Sequence, residues 1–188
     1  MAGQIRITPD QMRSRAKTIN FGIVYGISAF SLSQDIHVSV AEAREYMDAW
    51  FATFPGVRAY MDEVVRQARE NGYVETLFHR RRNVPELKSS NYNTRSFGER
   101  VALNMPVQGT AADIMKFAMI AVWKRLRREG LRARPVLQIH DELIVECAAV
   151  DAERTAEILR EEMEGAAALT VPLTVETHWG NSWLAAKG

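Results

Sequence analysis

The amino-acid sequence predicts an α+β protein with a helical lobe over residues 1–92 and a mixed lobe over residues 93–188. Two observations support this fold class. Helix-start signals and amphipathic stretches dominate the first half of the chain. In the second half, helical stretches flank two short apolar runs separated by His140 and Asp141, which is the pattern of a hairpin packed with helices.

Composition limits the class of protein. Of the 188 residues, 47% are hydrophobic, enough for one packed domain or two small lobes. The formal net charge is +1, so any nucleic-acid surface must come from local clusters of basic residues. Cys147 is the only cysteine, which excludes an internal disulfide and a cysteine-rich zinc site. No apolar run approaches the ~20 residues of a membrane-spanning helix, and we expect a cytoplasmic protein without a membrane partner.

The helices of the first lobe are predicted from the signals at their ends. Thr8 opens a capping box at the start of a helix over residues 9–26. Ser39 opens a second helix, which ends near Pro55, and a third helix follows and ends at Gly72. A small hairpin with a basic turn, HRRRN, is predicted next.

The second lobe is predicted to begin with a long helical stretch, broken near Pro106 and ended by Gly130. Residues 134–147 then form a hairpin with a charged tip. A helix with an acidic start follows at Asp151, and residues 171–180 are predicted to form a final strand.

The stretch RSRAKTINFGIVYG places Arg13, Lys17, Phe21 and Tyr25 four residues apart, on one face of the first helix. This face is cationic at one end and aromatic at the other, as a nucleoside triphosphate is anionic at one end and carries a flat base at the other. Arginine and lysine bind phosphate oxygens, and aromatic rings stack on bases. The alternative is that the two aromatics belong to the core and the two cations form a solvated edge.

The stretch QIHDELIVE places Asp141 at the hairpin tip, with Glu142 beside it. Phosphoryl transfer to a hydroxyl group commonly uses two Mg²⁺ ions bridged by carboxylates, and a carboxylate on a rigid hairpin suits that task. An ordinary polar turn between two strands is the alternative interpretation.

The first stretch resembles the fingers motif of family A DNA polymerases, Arg-x3-Lys-x3-Phe-Gly-x2-Tyr-Gly, at all six defined positions. The resemblance implies that Arg13 and Lys17 hold the triphosphate of the incoming dNTP. It also implies that Phe21 packs on the sugar and base and that Tyr25 lies beside the templating base.

The second stretch is similar to the palm hairpin of the same family. The resemblance implies that Asp141 is a ligand of Mg²⁺ and takes part in catalysis with Lys17, that Glu142 is an auxiliary catalytic acid, and that Gln138 and His140 contact the primer end. On this basis residues 1–92 correspond to the fingers, and residues 93–188 to the C-terminal part of the palm.

The stretch ERVALNMPVQGTAAD also resembles the family. The resemblance implies that Arg100, Asn104 and Gln108 reach the DNA duplex near the growing end. Amide and guanidinium donors can contact minor-groove acceptors that all correct base pairs share, which tests pair geometry without reading sequence. The alternative is that Gln108 and Asp113 cap the start of the following helix.

The family also carries a palm segment, Asp-Tyr-Ser-x2-Glu, whose aspartate is the other shared metal ligand, and this segment does not occur in the sequence. The three matched stretches imply template-directed DNA synthesis on primer-template DNA. The missing segment implies that the N-terminal remainder of the polymerase is supplied in cis or as a second chain. The chain alone is expected to be inactive. Two alternatives stay open, a non-catalytic nucleic-acid-binding remnant of the same fold and a single-subunit RNA polymerase.

Overall fold

The computed structural model describes residues 8–187. The described chain divides into two compact units, one ending at Val107 and the other beginning at Gln108. Helices predominate and are accompanied by two small antiparallel sheets, so the α+β prediction is confirmed. The predicted boundary between residues 92 and 93 falls inside the first unit, and the assignment of subdomains stays a prediction.

Helices make up most of the first unit, with one small hairpin. The hairpin pairs its strands antiparallel, and a 3₁₀ turn, Pro85–Lys88, follows it. In chain order the elements are α1 (Pro9–Val24), α2 (Ala29–Ile36), α3 (Val40–Thr53), α4 (Pro55–Asn71), β1 (Tyr73–Glu75), β2 (Arg81–Asn83) and α5 (Tyr92–Asn104).

The predicted helix starts at Thr8 and Ser39 and the predicted helix end at Gly72 are confirmed. Capping boxes open α1 at Thr8 and α3 at Ser39, and Gly72 closes α4 in a left-handed conformation with φ +82°. Helix α1 ends at Val24, earlier than predicted, because the chain already turns at Gly26, whose φ is +77°. Helix α2, which was not predicted, begins at a side-chain cap on Ser28.

Two hydrophobic clusters hold the first unit together. One joins α2 and α3 through Leu32, Ile36 and Ala43, with Ile19 of α1 packed against them. The second lies between α4, the hairpin and α5, and its buried members are Ala68, Val74, Val84, Leu87, Val101 and Ala102. An ion pair between Arg69 and Glu99 also links α4 to α5.

A π-helical turn, Met105–Gly109, follows α5 and accounts for the predicted break near Pro106. Proline has no backbone N–H to donate, so an α-helical hydrogen bond is lost there and the ladder widens. The N-cap of the next helix is Gly109, which has no side chain to cap it, and capping by Gln108 or Asp113 stays an alternative.

The second unit packs two helices against one face of a hairpin. Its elements are α6 (Thr110–Arg128), β3 (Ala133–Ile139), β4 (Glu142–Cys147), α7 (Ala152–Glu164) and α8 (Trp183–Ala186). The predicted hairpin is confirmed, with β3 and β4 antiparallel. Its core is formed by Val122, Leu126 and Ile158, against which residues of both strands pack.

The predicted final strand over residues 171–180 is wrong, because no strand is assigned there. A strand requires a neighbour for its backbone hydrogen bonds. In this stretch the N–H of Val175 donates instead to the Glu164 side chain, at 3.0 Å. Across residues 8–187, no helix combines the length and apolar character that crossing a bilayer would require.

Candidate functional site

Helix α1 presents the cationic and aromatic side chains together on an exposed face. Arg13 and Lys17 are exposed, and neither forms an ion pair with a carboxylate within residues 8–187. The rings of Phe21 and Tyr25 are stacked, with centroids 6.2 Å apart and planes inclined by 23°. The Lys17 Nζ lies 5.9 Å from the Phe21 ring centroid. The four predicted residues therefore follow one another as a continuous row.

The opposite face of α1 attaches the helix to its unit. Ile23 is buried there, and Ile19 packs against the α2–α3 cluster. Phe21, in contrast, is 51% exposed, which excludes the alternative that it is a core aromatic. Tyr25 is half-buried.

Gly22 and Gly26 make room for this chain's own side chains. A β-carbon on Gly22 would lie 3.1 Å from Cγ2 of Ile27, which turns back under the helix end. A β-carbon on Gly26 would lie 3.0 Å from Cδ1 of Leu103 and 3.5 Å from Cγ of Arg100. The aromatic end of α1 therefore adjoins the stretch of α5 that carries Arg100.

Two of the predicted DNA-contact residues lie on α5. Arg100 is exposed and its Nη1 donates to Ser96 Oγ at 3.1 Å. Asn104 is half-buried, and its Oδ1 has no hydrogen-bond partner in the described part of the chain. An unpaired buried acceptor costs free energy, so Asn104 has capacity for a donor from a bound molecule.

Arg81, one of the basic residues of the predicted turn, lies in β2 and is held by contacts within its own hairpin. Arg81 lies over the Tyr73 ring, 4.4 Å from its centroid, and its Nε donates to Glu75 Oε1 at 2.6 Å. Hydrogen bonds from Arg81 and then His79 lower the pKa of the Glu75 carboxyl below its usual value. Arg81 is therefore partly committed to a structural contact.

The hairpin tip of the second unit carries the predicted carboxylates. Gln138, His140, Asp141 and Glu142 are all exposed, and His140 adopts a left-handed conformation with φ +52°. The Gln138 Nε2 donates to the His140 carbonyl oxygen at 2.6 Å and so braces the turn. Gln108, in the π-helical turn that leads to α6, is also exposed.

The charged residues at the C-terminal end of α6 form ion pairs within the second unit. Arg125 forms ion pairs with Glu129, Glu161 and Glu162, and Arg154 pairs with Glu129 at 2.8 Å. Hydrogen bonds from Arg154 and then Arg125 lower the pKa of Glu129 to about 2. This network ties α6 to α7.

Within residues 8–187, no group of three or more His, Cys, Asp or Glu side chains is placed to hold a metal ion. The donor chemistry at the hairpin tip suits Mg²⁺, because Asp141 and Glu142 offer the carboxylate oxygens that this ion prefers. These two residues can supply part of a coordination shell. The rest of the shell would have to come from elsewhere.

Comparison with known proteins gives consistent results. The family model described as DNA polymerase family A matches residues 3–185. DNA polymerase I of Geobacillus stearothermophilus is 52% identical over 94% of this chain and 20% of its own length. The thermostable DNA polymerase I of Thermus thermophilus is 49% identical over 94% of this chain and 21% of its own length.

A solved structure is also similar, the POL domain of Pol1 from M. smegmatis in complex with DNA primer-template and dNTP. It is 45% identical, with a TM-score of 0.92, and the match covers 97% of this chain and 32% of that one. The chain thus spans about a fifth of the length of the curated relatives it matches.

Proposed function

Because the chain belongs to DNA polymerase family A, we propose that it acts in template-directed DNA synthesis as the C-terminal fingers and palm portion of such an enzyme. The observation that carries the proposal is the exposed row on α1, with two cations unpaired by carboxylates among the described residues and two stacked aromatic rings. In the proposed reaction the primer 3′-hydroxyl attacks the α-phosphate of a dNTP, and pyrophosphate leaves.

The residues of α1 would bind the nucleotide. Arg13 and Lys17 would neutralise the triphosphate, with Arg13 suited to bidentate contacts and Lys17 to a point contact. The exposed Phe21 ring would pack on the sugar and base, a contact that contributes ~1–3 kcal/mol for a stacked base. Tyr25, stacked on Phe21, would border the templating base. The contribution to catalysis is mainly positioning and charge stabilisation.

The residues near the DNA would test the geometry of the new base pair. The assignment of Arg100 as a DNA contact is supported by its exposure. The assignment of Asn104 is supported by its buried Oδ1 atom, which has no hydrogen-bond partner among the described residues. Gln108 would join them at the duplex, and Gln138 and His140 would contact the primer end. Such contacts depend on the shape and polarity shared by correct pairs rather than on sequence.

The hairpin tip would contribute to a Mg²⁺ site. Asp141 would be a metal ligand and Glu142 an auxiliary acid. When bound, Mg²⁺ would stabilise the charge that develops on the phosphates during transfer. The remaining carboxylate would come from the N-terminal remainder of the polymerase, in cis or as a second chain. We propose that the assembled enzyme acts in the cytoplasm.

Primer extension tests the proposal. The purified chain is assayed alone and after addition of a polymerase fragment that supplies the other palm carboxylate and the thumb, with dNTP and rNTP in parallel. We expect extension only with the fragment present and only with dNTP. Preferential rNTP incorporation would favour a single-subunit RNA polymerase instead.

The second candidate is a non-catalytic nucleic-acid-binding remnant. It is favoured by one observation, the exposed row on α1, whose cations and stacked rings could bind nucleic acid without any chemical step. DNA binding by the chain, without extension in the supplemented assay, would establish the remnant and contradict the proposed synthesis.

A further inference from the structure

Helix α1 is fixed to its unit over only a small part of its length. Ile23, near the C-terminal end, is the one buried side chain of the helix as the structure describes it. No residue from Pro9 to Thr18 is buried. The half of α1 that carries Arg13 and Lys17 therefore takes its direction from contacts farther along the helix.

One such contact joins α1 to α3. The indole Nε1–H of Trp50 donates to Oδ1 of Asn20 at 2.7 Å, across 30 positions in sequence. Asn20 lies three residues after Lys17, which places it about 60° away around the helix axis. The hydrogen bond thus lies at the margin between the exposed row and the attached face.

The donor is itself held in place. The Trp50 ring meets Phe51 edge to face, with centroids 5.3 Å apart, and contacts Phe54 at 5.0 Å. Phe54 ends α3 and immediately precedes α4. The guanidinium of Arg58, on α4, lies over the Phe51 ring at 4.4 Å. The aromatic cluster at the corner between α3 and α4 therefore orients the indole that binds Asn20.

We propose that Asn20 and Trp50 are positioning residues, whose hydrogen bond sets the direction in which α1 presents Arg13 and Lys17 to a triphosphate. The nucleotide part of this inference rests on the proposed function, while the attachment of the helix rests on geometry alone. Arg13 lies about 10 Å along the axis from Asn20, so a tilt of about 10° would displace it by roughly 2 Å. Phosphate contacts lose strength over such distances.

Three substitutions in the full chain test the proposal. Trp50→Phe keeps an aromatic ring but removes the donor, and Asn20→Ala removes the acceptor from an exposed position. Asn20→Asp keeps an acceptor oxygen and serves as the conservative variant. Trp123→Phe, at an exposed tryptophan of the other unit, is the control for loss of an indole.

Two quantities are measured, amide hydrogen exchange along α1 and the dissociation constant for a dNTP titrated in the presence of Mg²⁺. We expect Trp50→Phe and Asn20→Ala each to accelerate exchange in α1 and to weaken dNTP binding by about 3- to 10-fold. Trp123→Phe should resemble the wild type in both quantities. Asn20→Asp should keep wild-type exchange in α1, and only exchange is compared for this variant, because its added charge lies one turn from Lys17 and by itself disfavours a triphosphate. The double variant Asn20→Ala/Trp50→Phe should be no weaker than either single variant, because both remove the same interaction.

Wild-type exchange and affinity in both single variants would overturn the proposal, as would fully additive losses in the double variant. If the wild-type chain binds no dNTP, the proposed function fails and the exchange data decide the positioning role by themselves. Faster exchange in α1 then upholds the role, and unchanged exchange refutes it.

Discussion

Gly26 lies directly against Leu103, so that a β-carbon added at Gly26 would sit 3.0 Å from the Leu103 Cδ1 atom. This contact brings the turn after α1 against α5. It connects the motif that carries the aromatic row with the motif that carries Arg100, two segments far apart in sequence. Gly26 also needs a left-handed backbone, with φ +77°.

Gly26→Ala should lower the free energy of unfolding by about 2 kcal/mol, measured by denaturant titration, because a left-handed alanine costs ~1–2 kcal/mol before any steric term. Gly72→Ala is the matched control, since Gly72 has φ +82° and nothing within 4 Å of an added β-carbon. Equal losses in the two variants would show that the contact with Leu103 carries no cost.

Lys17→Ala, made in the complete polymerase, should raise KM for dNTP and slow the chemical step. A charge-assisted contact to phosphate contributes ~1.5–3 kcal/mol, so kcat/KM should fall at least tenfold. Steady-state and single-turnover kinetics measure both effects. Lys124→Ala, at an exposed lysine of α6, is the control. An unaltered KM together with an unaltered rate would contradict the assignment of Lys17 to the nucleotide-binding site.

Asp141→Ala in the complete polymerase should abolish primer extension and leave primer-template binding intact, because the carboxylate is predicted to hold Mg²⁺ rather than DNA. Extension and equilibrium DNA binding are measured on the same preparation. Glu176→Ala, at an exposed carboxylate of the second unit, should change neither. Substantial extension by the Asp141 variant would contradict the assignment.

Glu129 should make the stability of the second unit depend on pH. Its folded pKa is lowered from 4.5 to about 2 by Arg154 and Arg125, whereas the unfolded carboxyl keeps its ordinary pKa. The stabilisation is therefore fully present above about pH 5 and is lost as the pH falls from about 4.5 to about 2.

Thermal unfolding checks this dependence. The Tm difference between the wild type and Glu129→Gln should be largest above pH 5, should shrink as the pH falls, and should be lost below about pH 2. Glu176→Gln, at a carboxylate without an ion pair in the part of the chain that the structure describes, should show no such trend. A Tm difference that stays constant with pH would refute the assignment.

Local signals in the sequence were sufficient for most helix ends. The capping boxes at Thr8 and Ser39 and the left-handed glycine at position 72 each depend on a few neighbouring residues, so their patterns are visible in a short window. The exposed row on α1 follows from helical spacing in the same way. Ser28, which caps α2, is a signal of the same kind, although α2 is not among the predicted helices.

Features that depend on distant partners could not be predicted in this way. The stretch 171–180 has strand-like residues, yet strand formation depends on a neighbour, which its composition does not reveal. The bond between Trp50 and Asn20 spans 30 positions and left no local pattern. The close approach of Ile27 to Gly22 likewise depends on how the chain turns after α1, which helical spacing does not reveal.

The left-handed conformation of His140 has a further consequence. A residue with a β-carbon is disfavoured in that conformation, whereas glycine adopts it freely. Thermostability selections applied to this hairpin would therefore tend to enrich glycine at position 140, and such variants would lose backbone strain together with the imidazole next to Asp141. Screens that score heat resistance alone would therefore select variants that lack the proposed primer contact at position 140. A DNA-synthesis assay on the same variants would show whether the gain in stability is accompanied by a loss of activity.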